Sequence, residues 1–275
     1  MPEGDSLHRL AAKLGPVLEG REVLAFRARR LSDAAARSLV GRRVVSVTAK
    51  GKNLLVRVDD ERVLHVHLAM RGRVFLERPR SPFWAPPRGE PDMRLAVDGA
   101  AIVGQRLPVL RLLTASEERR APDLAGLGPD LTASDWDEPE ALARLRALAD
   151  RTIAEALLVQ RAASGIGNVY KSEVCFLEGV DPRARLSELD DGELRALLRR
   201  ASALLRANLG DGPRVTRRSL GGSRLWVYGR GGRACLRCRT PIVRFLQGAP
   251  PGRSTYACPS CQPARPVRSA SGARP

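Results

Sequence analysis

Four of the five cysteines fall into two pairs, Cys235-x2-Cys238 and Cys258-x2-Cys261, with nineteen residues between the pairs. A two-residue gap lets one turn supply two ligands, and four thiolates match the preferences of zinc. Such a set leaves no open position for water, so the spacing predicts one structural Zn2+ rather than a catalytic one. The N-terminus MPEGDSLHRL has no apolar signal core. The pairs therefore read as thiolates in a reducing cytoplasm, not as disulfides. The fifth, Cys175, sits in the apolar run Val174-Cys175-Phe176-Leu177 and reads as core packing.

The second candidate is the amino-terminus. Once Met1 is removed, Pro2 presents a secondary amine. An α-amine keeps a far larger unprotonated fraction at neutral pH than a lysine; proline's ring amine is more basic than an ordinary α-amine, so a site would have to lower its pKa by desolvation or nearby cations. Attack by such an amine on a sugar carbon gives an obligatorily cationic iminium, an electron sink, with Glu3 alongside to move protons. Many chains begin Met-Pro, so this feature needs support from elsewhere. Lys52, in Lys50-Gly51-Lys52-Asn53, sits where a β-hairpin turns, and only four of the 47 basic residues are lysine (Lys13, Lys50, Lys52, Lys171). A lysine can gain and lose a proton where arginine cannot, although a turn is also an ordinary place for a solvated lysine. Met70, after His67-Leu68-Ala69, could wedge into a base stack or simply pack in the core. Gly165-Ile166-Gly167-Asn168 lets the backbone turn tightly into a helix. Its free N–H groups and dipole could hold a phosphate, or Asn168 could be a plain cap. His65 and His67 share a strand face, but no third ligand accompanies them, so a second metal site is not expected.

Charge decides what such residues would act on. The 275 residues carry a formal charge of +17, and 43% are hydrophobic against 28% charged. This is a globular composition whose surface needs a polyanion, and nucleic acid heads the possibilities. No stretch of about 18 uncharged apolar residues suggests a membrane span.

The elements that must position these residues follow from periodicity. Leu7, Leu10, Ala11 and Leu14 mark a helix over 5–19, which Gly15 and Pro16 should end or kink. From Val44 to Glu77 the pattern turns to antiparallel β hairpins, with further strands at 94–97 and 100–103. The stretch Arg80 to Pro91 reads as loop. Polar, turn-rich residues 115–138 suggest a domain boundary. Helical periodicity occupies 139–159, a helix leads from Asn168 to about Gly179, and 191–209 holds the cleanest register. The predicted class is α+β: a β-rich domain at 1–115, a linker at 116–138 and a helical domain at 139–228. A four-cysteine zinc finger at 229–262 and a disordered tail at 263–275 complete it.

Taken in order, these pieces resemble the formamidopyrimidine-DNA glycosylase/endonuclease VIII family of base-excision repair enzymes. The matching residues are Pro2-Glu3-Gly4, Gly51-Lys52-Asn53-Leu54-Leu55, His67-Leu68-Ala69-Met70-Arg71-Gly72 and Leu127-Gly128-Pro129-Asp130. They continue with Gly165-Ile166-Gly167-Asn168-Val169-Tyr170 and Glu173, Val227-Tyr228-Gly229-Arg230, and Gly252-Arg253-Ser254-Thr255-Tyr256 before Cys258. The resemblance implies an N-terminal antiparallel β-sandwich with flanking helices. It also implies a helix–two-turn–helix domain with a zinc finger, and damaged DNA in a cleft between the lobes. It implies a monomeric DNA glycosylase with AP lyase activity, cytoplasmic and nucleoid-associated when bound to DNA. Pro2 would attack C1′, Glu3 would assist sugar opening and base departure, and Lys52 would contact phosphate and assist proton transfer. Gly167, Asn168 and Arg253 would grip phosphates, Arg253 also assisting elimination, with Met70 filling the gap left by the flipped nucleotide. Two departures favour the endonuclease VIII branch and oxidised pyrimidines over oxidised guanine or formamidopyrimidines. No Arg-Phe-Gly follows the second hairpin, and little chain separates the last long helix from Val227-Tyr228. A non-catalytic zinc-ribbon binder of nucleic acid is the competing reading.

Overall fold

The structure is a computed structural model and describes residues 2–78, 90–219 and 221–265. Most of the expected loop (80–89), most of the expected tail (266–275) and Met1 lie outside those residues. The chain divides into two compact units, Met1–Leu127 and Gly128–Pro275.

The first unit runs α1 (Gly4–Leu18), β1 (Ala25–Ala28), α2 (Asp33–Arg37), β2 (Val44–Lys50), β3 (Asn53–Val58), β4 (Val63–His67) and β5 (Arg73–Glu77). It continues with β6 (Met93–Val97), β7 (Ala100–Gln105), β8 (Val109–Leu113), α3 (Ala115–Arg120) and α4 (Pro122–Ala125). Two four-stranded antiparallel sheets form, in the orders β2-β3-β4-β8 and β1-β6-β7-β5. Leu54, Val56, Leu64 and Val66 from one sheet share a buried cluster with Phe26, Leu95 and Ile102 from the other and with Leu7, Leu14 and Leu18 of α1. The run Asn53-Leu54-Leu55-Val56 does not alternate because both of its faces are covered. Leu55 packs on the far side with Val63, Leu113, Ala121 and Leu124. A Leu54→Ala cavity in this core would cost about 2–5 kcal/mol.

Of the two outcomes expected at Gly15-Pro16, an end does not occur: helix α1 continues to Leu18 with Pro16 inside it. Proline in the last turn removes one N–H, whereas Leu14, Val17 and Leu18 are all buried there, and Glu19 N still donates to Gly15 O at 2.9 Å. The core outweighs the lost bond.

The second unit holds α5 (Glu138–Arg146), α6 (Ile153–Ala156), α7 (Asn168–Leu177), α8 (Asp191–Ala207), β9 (Val243–Gln247) and β10 (Arg253–Ala257). The periodic stretch 139–159 is two helices rather than one. Asp137 caps the first, and Thr152 with Glu155 forms a capping box that starts the second. Helix α8 buries Leu194, Leu197, Leu198, Ala201 and Leu205, the face its register predicts. No helix among the described residues is long and apolar enough to cross a membrane.

Candidate functional site

Pro2 is half-buried and immediately precedes Glu3, which is wholly buried as the cap residue of α1. Ser6 N donates to Glu3 O at 2.9 Å, and Glu3 N donates to Ser6 Oγ at 3.4 Å. Asp5, also fully buried, takes Arg9 at 3.5 Å. The start of α1 thus joins a potential nucleophile to a buried acid through one peptide link.

Lys52 lies in the turn between β2 and β3, where Lys50 pairs with Asn53 and Gly51 adopts a φ of 57°. His67, opposite Asn53 on β4, has its pKa lowered by burial and by the Lys52 charge. Behind the turn, Asn53 Nδ2 donates to Lys50 O at 3.2 Å, and Asn53 Oδ1 lies 2.9 Å from His65 Nε2. His65 Nδ1 lies 2.9 Å from Arg111 Nη2, which also donates to Asp123 Oδ2 at 2.5 Å. Burial first, then the Arg111 charge, pushes the His65 pKa down to about 4. Burial opposes ionisation of Asp123, but the Arg111 guanidinium holds its carboxyl below the usual range.

Met70 does not pack in the core. It is 63% exposed on the turn between β4 and β5. Ala69 takes a φ of 46°, and a Cβ at Gly72 would stand 2.4 Å from Leu68 O, so only glycine closes the turn this tightly.

In the second unit, the segment before α7 is folded by one side chain. Gln160 Oε1 accepts from Gly165 N at 3.1 Å, and its Nε2 donates to Ile166 O and Leu158 O, both at 3.0 Å. Gly165 has a φ of 104°, and Gly167 is the cap residue of α7. The segment at Leu127-Gly128-Pro129-Asp130 packs on the same turn. A Cβ on Gly128 would approach Ala162 O to 2.4 Å, while Ser164 N donates to Pro129 O at 2.9 Å.

Helix α7 then fastens the β9–β10 hairpin. Asn168 Nδ2 donates to Ser254 O at 2.7 Å. Lys171 Nζ donates to the same oxygen at 3.2 Å and to Thr255 Oγ1 at 2.8 Å. Arg253, exposed at the start of β10, is the residue next to this anchored carbonyl. Asn168 Oδ1 is buried without a hydrogen-bond partner. Lys171 is fully buried, a position that sequence reasoning passed over. Its rarity as a lysine, the signal that singled out Lys52, applied equally to it. Glu173, two residues further on, accepts from Trp226 N, Val227 N and Tyr228 N at 2.8–2.9 Å and from the Thr216 hydroxyl, tying the loop after α8 to α7.

The thiolates of Cys235, Cys238, Cys258 and Cys261 lie within 4.8 Å of one another. The Cys235–Cys261 and Cys238–Cys258 sulfurs are 4.0 and 3.3 Å apart, close to the roughly 3.8 Å edge of a tetrahedron with 2.3 Å metal–sulfur bonds. This donor set fits a metal ion. Around it pack Phe176, Val227 and Ile242, with Arg237 over the rings of Phe176 and Trp226. Cys175 stands apart in the core, where burial pushes its thiol up to about 12.

Of the residues singled out in the sequence, Pro2, Glu3, Lys52 and Met70 belong to the first unit. Gly167, Asn168, Arg253 and the four cysteines belong to the second, where Asn168 meets the Arg253 hairpin directly.

A two-sheet sandwich followed by a helix–two-turn–helix unit and a cysteine-clustered hairpin defines a class of DNA-repair proteins. Residues 1–105 match the formamidopyrimidine-DNA glycosylase N-terminal domain, and residues 127–219 match the formamidopyrimidine-DNA glycosylase H2TH domain. The chain is 42% identical over 280 residues to a probable endonuclease 8 2 of Streptomyces coelicolor, covering 100% of this chain and 99% of the relative. It is 37% identical to the DNA-(apurinic or apyrimidinic site) lyase Nei2 of Mycolicibacterium smegmatis, covering 96% of this chain and 100% of the relative. Among solved structures, formamidopyrimidine-DNA glycosylase of Lactococcus lactis, bound non-covalently to DNA containing an AP site, superposes with a TM-score of 0.78 at 23% identity. That match covers 95% of this chain and all of the other, and shows a shared fold. The chain belongs to the formamidopyrimidine-DNA glycosylase/endonuclease 8 family.

Proposed function

We propose that the protein is a bifunctional base-excision repair enzyme, a DNA glycosylase with AP lyase activity, whose nucleophile is the ring nitrogen of Pro2. The observation that carries this reading is the placement of Pro2 beside the buried Glu3 at the start of α1, in a chain of this family. With Met1 removed, the Pro2 nitrogen bonds to C1′ of the damaged nucleotide, and the glycosidic bond breaks with its electron pair leaving on the base, which takes up the proton shed by the Pro2 nitrogen. Glu3 donates a proton to O4′ as the sugar ring opens, leaving an iminium between Pro2 and C1′. Loss of a C2′ proton feeds electrons into that iminium and expels the 3′ phosphate. A second elimination expels the 5′ phosphate, and water then releases Pro2. Lys52 neutralises phosphate charge and moves protons in the eliminations, and Asn168 and Arg253 hold the flanking phosphates. Exposed Met70 enters the stack where the nucleotide has flipped out. The four cysteines would hold one structural Zn2+, which when bound supplies a rigid crosslink for the hairpin and no reactive position. The substrate class is damaged DNA, with oxidised pyrimidines favoured because no Arg-Phe-Gly stands near the β4–β5 turn to complete the wedge. We place the enzyme in the cytoplasm, as a monomer on nucleoid DNA.

The test is cleavage of duplexes carrying an abasic site or defined damaged bases. The account expects a one-nucleotide gap with phosphate at both ends, lost in Pro2→Gly and strongly reduced in Glu3→Gln. Salt-sensitive DNA binding without cleavage by any Met-processed form would favour the non-catalytic reading instead.

A further inference from the structure

His65 sits in β4 between Leu64 and Val66 and is entirely buried, as they are. A residue chosen for packing alone would be apolar there. Both of its ring nitrogens are instead engaged. Arg111 has only donors to offer, so His65 Nδ1 accepts from Nη2, the ring proton resides on Nε2, and Nε2 donates to Asn53 Oδ1. Asn53 passes the constraint on through its amide nitrogen to Lys50 O, closing the Lys50-Gly51-Lys52-Asn53 turn from inside. At the other end Asp123 of α4 receives the second Nη2 hydrogen of Arg111. The ring remains neutral near pH 7, since burial and Arg111 both oppose its protonation, against the weaker pull of Asp123 and Glu118. The tautomer, and with it the direction of every bond in the relay, is therefore fixed.

We propose that the Asp123–Arg111–His65–Asn53 relay is a positioning device for Lys52: by clamping the carbonyl of Lys50 it sets the turn from which the Lys52 ammonium reaches the sugar-phosphate. This rests on the role given to Lys52 above. Lysine is a point charge on a flexible four-carbon stem, so its aim depends on how rigidly its backbone is held. Misplacement by about 1 Å can cost on the order of a hundredfold in rate. Asn53 and His65 form the buried end of the relay, where hydrogen-bonded polar groups are a means of specifying one geometry, while Arg111 leaves its Nε without a partner.

The test uses full-length, Met-processed protein and nicking of an abasic-site duplex, with melting temperature and zinc content recorded for each variant. His65→Leu is expected to lower the maximal rate by about tenfold while leaving the half-saturating DNA concentration nearly unchanged. His65→Gln, whose Nε2 can still donate to Asn53, is expected to recover most of that rate. In a Lys52→Ala background His65→Leu should have no further effect, because the relay acts only through Lys52. Equal losses in both backgrounds, no loss in either, or a Gln variant no better than Leu would overturn the inference. Should His65→Leu fail to fold, Asp123→Asn at the exposed end carries the same comparison, with about a threefold loss in the native background and none with Lys52→Ala. A native protein that does not nick at all contradicts the enzymatic reading. Nicking that ignores Lys52→Ala contradicts only the role of Lys52.

Discussion

Two hairpins in this protein each present a basic residue at the turn, and they are held in different ways. The β2–β3 turn carrying Lys52 lies inside a four-stranded sheet, where neighbouring strands already fix the register. Its added constraint is a line of side chains from within. The β9–β10 hairpin carrying Arg253 is a two-stranded ribbon, which alone is marginal in water. It is fastened from outside by Asn168, Lys171 and Ser172 of α7, by Gln247 to Pro182 O, and at its base by the cysteine cluster. A sheet supplies its own rigidity, whereas a ribbon must borrow it from a helix and a metal site.

If that contrast holds, the ribbon should be the more fragile. Cys258→Ser should have the largest effect, because metal binding at a four-thiolate site is coupled to folding. Bound zinc should be lost, the melting transition should broaden, and nicking should fall below detection; retained zinc would show that the ligand set is wrong. Arg253→Ala should keep zinc and melting temperature while lowering nicking by about a hundredfold, as expected when one charged contact to a reacting phosphate is removed. Lys171→Met should come next. Replacing a buried ammonium by an apolar side chain of similar shape is often near neutral for stability, so melting should move little. With Ser254 O left to Asn168 alone, nicking should fall about tenfold. Normal nicking by this variant would place the anchorage elsewhere.

The smallest effect belongs to the sheet-embedded turn and appears against pH. The folded-state pKa of His65 is depressed to about 4 from an ordinary value near 6.5. The unfolded chain therefore takes up a proton first as pH falls. The stability contribution of neutral His65 is complete above about 6.5 and is lost progressively toward pH 4, by at most about 3 kcal/mol. The melting temperature of the native protein should decline faster across this window than that of His65→Gln. Parallel declines would remove His65 as the cause.

The parts of this arrangement that repeat or sit close in the chain were legible from sequence. The α8 face, the cysteine pairs and the glycine turn before α7 all follow from periodicity or local spacing. The relay behind Lys52 was not, because His65 and Arg111 are 46 residues apart and meet only through the β4–β8 pairing. Strands β1 and β8 escaped notice because each is short and takes its register from a distant partner, β6 or β4. Sequence leaves open whether Gly15 and Pro16 end α1 or only kink it, because the burial of Val17 and Leu18 that carries the helix past the proline shows only in the fold. Met70 was left between core and wedge until the Gly72 turn carried it to the surface.

Catalysis turns on the atom that bonds to the sugar. Borohydride reduction of Met-processed protein with abasic-site DNA, followed by peptide mapping, reads it directly. The account predicts a stable protein–DNA adduct on the N-terminal peptide, at the Pro2 nitrogen. An adduct located on Lys52 or another lysine, or none from protein that nicks the same DNA, would contradict it.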